Sequence, residues 1–71
     1  MDYCELGQKI RKCRRRQGLS QEDLAKKVGI SAAHISRIEN GNTKVSIPVF
    51  ARLVWVLGVS SDELLGIVSG E

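Results

Sequence analysis

Cys4, Cys13 and His34 are the side chains best suited to hold a soft metal, carry a thiolate or move a proton near neutral pH, and their placing suits none of these. If both cysteines share one helix, the nine residues between them span about 13.5 Å and half a turn. A disulfide needs Cα atoms within about 7 Å of each other. Structural zinc takes four ligands, and these three lack any usual ligand spacing. The cysteines read as reduced and structural, with redox sensing as the alternative because nearby arginines can lower a thiol pKa. No glycine-rich phosphate loop, paired carboxylates or nucleophile–base–orienter set can be assembled, so an enzyme is not expected and no cofactor or metal is called for.

The chemistry that remains is that of charge and hydrogen-bond donors. Lys and Arg number 11 against 8 Asp and Glu, a net charge of +3. Residues 1–44 hold ten basic and five acidic side chains, a balance of +5, whereas residues 45–71 hold one basic and three acidic, a balance of −2. One half of the chain is built to meet a polyanion and the other is not. Arg11, Lys12, Arg15 and Arg16 read as a solvated face that attracts such a partner at long range.

Such groups need a scaffold, and 71 residues allow one small domain. Apolar residues at 42% and charged ones at 27% give an ordinary globular balance. The longest apolar run is the five residues from Leu53 to Leu57, too short to span a bilayer, and the first residues lack the pattern of a signal peptide. A cytoplasmic protein with no membrane contact is expected.

Gly18, Gly29, Gly41, Gly58 and Gly66 each follow an apolar-periodic stretch, as helix-ending residues do. Ser20, Ser31, Ser46 and Ser60 each precede one, where a hydroxyl can accept from a free helix N–H. Ser60 to Glu63 has the spacing of a capping box, and Ser20 to Asp23 is a weaker version. Pro48 falls in a first turn, where its missing N–H costs nothing. These signals predict a compact all-α domain of five helices, about 5–17, 21–28, 32–39, 47–57 and 61–65. Inward positions are Leu6, Ile10 and Cys13; Leu24 and Val28; Ile35 and Ile38; Phe50, Leu53, Val54 and Leu57; Leu64 and Leu65.

Between Gln21 and Asn40 two short helices meet at Gly29-Ile30-Ser31. A tight corner needs a residue that tolerates positive φ, which Gly29 supplies. A close helix crossing needs a small side chain, which Ala25 supplies. Leu24, Val28, Ile30, Ile35 and Ile38 then bury the corner, and the pattern is that of a helix-turn-helix.

Three stretches carry a wider likeness: Leu19-Ser20-Gln21-Glu22-Asp23-Leu24-Ala25, Ile35-Ser36-Arg37-Ile38-Glu39-Asn40-Gly41, and Leu57-Gly58-Val59-Ser60-Ser61-Asp62-Glu63-Leu64-Leu65. In these the chain resembles the lambda-repressor-like, Cro/cI-type helix-turn-helix proteins (the Xre family), from about Leu6 to Leu65. The resemblance implies a five-helix domain that binds double-stranded DNA operators as a dimer. Its second motif helix would enter the major groove with the N-terminal half at the base edges.

Carried onto this chain, the likeness assigns base readout to Ala32, Ala33, Ser36 and Arg37. Arg37 either forks onto a guanine or stays a surface cation that finds a phosphate. The alanines can touch only thymine methyls or let the helix approach closely. Family members that carry glutamine at those two positions read bases more directly, so DNA shape takes a larger share here. Phosphate contacts fall to Gln21, Ser31 and His34, and to a clamp of Asn40, Asn42, Thr43 and Lys44 in the loop that follows. The bland alternatives are surface exposure for His34 and a plain helix stop for the loop. The likeness also pairs Arg14 with Glu39 as a structural salt bridge.

On the fourth helix Trp55 and Val56 point away from the inward stripe. A large exposed aromatic is enriched at interface hot spots. A two-fold dimer through Trp55, Val56, Val59, Ile67 and Val68 is expected, against the alternative that Trp55 folds onto its own tail. The rival to a plain repressor is an antitoxin or restriction–modification controller whose main partner is another protein.

Overall fold

A computed structural model of the protein describes residues 2–60 and Leu64. It is all-helical over those residues: α1 Tyr3–Arg16, α2 Gln21–Val28, α3 Ala32–Glu39 and α4 Ile47–Leu57. The fifth helix expected at 61–65 falls outside the described residues except for Leu64, which is buried in the core. No described helix is long and apolar enough to cross a membrane.

Each helix begins on a side-chain cap. α1 starts earlier than the apolar periodicity implies because Asp2 Oδ1 accepts from the N–H groups of Cys4 at 3.0 Å and Glu5 at 3.2 Å. Ser20 and Asp23 form a full reciprocal capping box at 2.9 and 3.0 Å, stronger than the sequence spacing alone indicated. Ser31 and Ser46 accept from the N–H groups of His34 and Val49. The α2–α3 corner turns on Gly29 at φ +88°, whose N–H closes onto the Ala25 carbonyl at 2.7 Å. Any residue with a Cβ is strained in that left-handed conformation.

α2 and α3 pack on each other, α1 crosses α3, and α4 closes the far side against α2 and α1. Leu6, Ile10, Cys13, Leu24, Ala25, Val28, Ile35, Ile38, Leu53, Leu57 and Leu64 fill the core. Phe50 and Val54, read as inward, are half-buried at its edge, as is Ile30. Two polar ties fix α4: Arg52 donates to the Val28 carbonyl at 3.4 Å, and the Gln17 amide donates to the carbonyl of Leu57. At the α1–α3 crossing the backbones themselves meet. A Cβ on Gly7 would lie 2.6 Å from the Glu39 carbonyl oxygen, so only glycine allows that approach.

Candidate nucleic-acid interface

The helix-turn-helix sets the start of α2, the outer flank of α3 and the loop after α3 along one side of the domain. On α3, Ala33 and Arg37 are exposed, and Ser36 and His34 are half-buried. Ala32, expected to face outward, is half-buried and packs against the core. The reason is register: Ala32 lies a few residues before Ile35 on the same helix, partly on the stripe that Ile35 and Ile38 turn inward. An open cleft between α2 and α3 is lined by Arg14, Ser20, Gln21, Glu22, Ala32, Ala33 and Ser36. Glu22 was missed in the sequence reading; it adds an exposed carboxylate beside the cationic groups.

Ser31 caps α3, its Oγ accepting from His34 N at 3.0 Å, which leaves the hydroxyl hydrogen free to donate outward. In the loop, Asn40, Asn42 and Lys44 are exposed and Thr43 is half-buried. Its backbone donors are less available than the sequence indicated. The N–H groups of Asn40, Gly41 and Asn42 close the end of α3 onto Ser36, Ile38 and Arg37 carbonyls at 3.0, 3.1 and 2.9 Å. Donation from Asn40 and Asn42 must therefore come from their side chains, and Gly41 has none to offer. The loop rests on the first turn of α1: a Cβ on Gly41 would lie 2.6 Å from Cys4 Sγ. Cys4 is exposed and Cys13 buried, and both are free thiols.

Glu39 is the polar centre of this side. It is 1% exposed, and Arg14 is 7% exposed. Arg14 Nε donates to Glu39 Oε2 at 2.6 Å and its Nη2 to Oε1 at 3.1 Å, a two-pronged pair, while Nη1 caps the Leu19 carbonyl at 2.7 Å. Oε1 also accepts from Gln21 Nε2 at 3.0 Å and Arg11 Nε at 3.2 Å. Arg11 is thus bound into the cluster, not part of a loose steering face with Lys12, Arg15 and Arg16. The i,i+3 spacing of Arg11 and Arg14 on α1 was the available signal. Burial pushes the Glu39 carboxyl up, but the bonds from Arg14, Gln21 and Arg11 outweigh it and hold the pKa below its ordinary value. Two cations around one carboxylate leave the cluster with one net positive charge.

On α4, Trp55 is 86% and Ile47 84% exposed. With exposed Ala51 they repeat every fourth residue along α4 and form one apolar ridge. Ile47 was not singled out from the sequence. Val56 and Val59, expected to stand free, are half-buried against the core, and Ile67 and Val68 lie outside the described residues.

A family model for the helix-turn-helix domain matches residues 5–65. The chain belongs to the helix-turn-helix transcriptional regulators, a DNA-binding family, and its motifs and fold place it among the lambda-repressor-like members. It is 40% identical over 58 residues to the uncharacterized regulator YazB of Bacillus subtilis, covering 82% of this chain and 84% of that one. The regulator SinR of Bacillus subtilis is 38% identical over 61 residues, 84% of this chain but 55% of SinR. A crystal structure of SinR in complex with DNA superimposes with a TM-score of 0.78 at 38% identity, over 84% of this chain and 97% of that chain. The restriction–modification controller C.AhdI of Aeromonas hydrophila superimposes with a TM-score of 0.84 at 33% identity, over 89% of this chain and 96% of that chain.

Proposed function

We propose that the protein is a sequence-specific transcriptional repressor of the cytoplasm that binds a near-palindromic DNA operator as a homodimer, with α3 in the major groove. The observation that carries this reading is the composition of one face. Ala33, Ser36 and Arg37 project from α3, and the side chains of Asn40, Asn42, Thr43 and Lys44 flank them with hydrogen-bond donors, whereas the Gln21 amine is turned inward onto Glu39. Arg37 is exposed and is the one cation on α3, placed to fork onto a guanine. The likeness to SinR, which has been crystallised with DNA, supports the groove assignment. Ala33 offers only a methyl group, so specificity at that point comes from thymine contacts and duplex shape. The exposed ridge of Ile47, Ala51 and Trp55 on α4 is the surface proposed for the second copy.

Selection of bound sites from random duplex DNA tests this. The expected product is an inverted repeat with half-sites about one helical turn, 34 Å, apart. Arg37→Ala relaxes the preference at one base pair per half-site, at a cost of about 1–3 kcal/mol. Recovery of no sequence, with no duplex binding even at low ionic strength, overturns the reading.

A second reading keeps the DNA face but gives the α4 ridge to a different protein, as in an antitoxin or a controller. The fold likeness to C.AhdI favours a controller within that class. Stoichiometric co-purification of a second protein that is lost in Trp55→Ala separates it from the homodimer.

A further inference from the structure

Arg11 is placed unlike the other cations of α1. Its Nε donates to Glu39 and its Nη2 donates to Asn40 Oδ1 at 2.7 Å, with the side chain 31% exposed. A guanidinium has N–H donors and no acceptor, so the Asn40 atom that faces it is the amide oxygen. The Nδ2 amine is then the end turned away from Arg11, on a residue that is itself exposed. Phosphate oxygens only accept. An amide therefore helps a phosphate only through its amine, and one presented oxygen-first repels it.

Gln21 meets the opposite constraint. The Glu39 carboxylate only accepts, so Gln21 must turn its amine inward, and one of its two hydrogens is already committed at 3.0 Å. Glu39 thus orients two carboxamides in opposite senses, Gln21 directly and Asn40 through Arg11. We propose that Arg11 is a positioning residue for DNA-backbone binding, which locks Asn40 with its amine outward as a phosphate donor. The proposal rests on the DNA reading above. It differs from a steering role for Arg11 in one respect: charge alone is not enough.

The test is a binding series on one duplex of about 25 base pairs, carrying a site selected by the wild-type protein and read at several salt concentrations. Arg11→Lys keeps the charge but loses the planar fork that spans Glu39 and Asn40. It is expected to weaken binding by about tenfold, close to the loss in Asn40→Ala. The salt slope should stay unchanged, because the hydrogen bond to phosphate comes from a neutral amide. In the Asn40→Ala background, Arg11→Lys should add less than about a twofold further loss.

Asn40→Asp keeps an acceptor for Arg11 but removes the donor, so it should retain wild-type thermal stability while losing at least as much affinity as Asn40→Ala. Those two Asn40 variants keep the proposal open to refutation even if Arg11→Lys folds poorly. Wild-type binding by Arg11→Lys or by Asn40→Ala, or full additivity of the two, overturns the proposal and leaves the DNA reading intact. Failure of the wild-type protein to bind any duplex overturns that reading instead.

Discussion

Where α1 crosses α3, the chain supplies both halves of every contact. Backbone lies against backbone at Gly7, and Glu39 accepts four hydrogen bonds from Arg11, Arg14 and Gln21. Along one side of α4 the reverse holds: Ile47, Ala51 and Trp55 carry apolar surface left largely uncovered by the described residues. The first region is specified within one molecule and holds the groups proposed to face DNA in register. The second has the composition of an interface core, with its complement still to be supplied. Substitutions in the first should therefore act on folding, and those in the second on assembly.

The largest effect is expected at Glu39. A glutamine there must put an amine where a carboxylate oxygen now accepts, directly against Arg or Gln donors, and it leaves Arg14 charged and buried. Glu39→Gln should lower unfolding stability by about 3 kcal/mol, measured by urea denaturation at neutral pH. The effect should also carry a pH signature. The folded-state pKa of Glu39 lies below its ordinary value of 4.5, so its stabilisation is present above that value and is lost as pH falls through the folded pKa. The gap between wild type and Glu39→Gln should narrow in acid; a gap constant from pH 7 downward would show that charge is not the cause.

Gly7→Ala comes next. The added methyl meets α3 carbonyls that cannot yield as a flexible side chain would, so a loss of about 2 kcal/mol is expected. Wild-type stability in that variant would mean α1 can shift along α3, and the Glu39 cluster would then not be the rigid frame inferred.

The smallest stability effect is expected at Trp55. Trp55→Ala should change the unfolding stability of the monomer by less than about 0.5 kcal/mol, as exposed positions do. It should nonetheless shift sedimentation from dimer to monomer. A monomeric wild type, or a dimer that survives the substitution, removes α4 as the pairing surface.

Helix positions were legible because capping serines, glycines and apolar spacing all report local backbone chemistry. Ser20, Ser31 and Ser46 cap as expected, and Gly29 and Gly58 end their helices in the left-handed region. The start of α1 was misplaced because Asp2 lies ahead of the apolar periodicity that located the helix. The α2–α3 corner and its core residues were equally plain, since Leu24, Ala25, Val28, Ile35 and Ile38 are spaced for one crossing. Long-range details were not, apart from the Arg14–Glu39 pair that the family likeness supplied. The tie of Arg11 to Asn40 crosses 29 positions of sequence, and no local pattern records it. The half-burial of Ala32 and Val56 depends on how far each helix is rotated, which periodicity fixes only to within part of a turn, and that of Val59 on the path of the chain beyond Gly58. Ile47 was passed over because a residue at a helix start looks like part of a cap until its neighbours are placed.

If α3 reads base edges as proposed, its shortness limits how much one molecule can know about a genome. Eight residues make a rod of about 12 Å, which at about 3.4 Å per base pair lies alongside roughly four of them. A word of about four letters recurs by chance roughly every 250 base pairs, whereas two such words at a fixed separation recur about every 65,000. Under the proposed reading, a pair of such rods at a fixed separation is therefore about 250 times more selective than one alone.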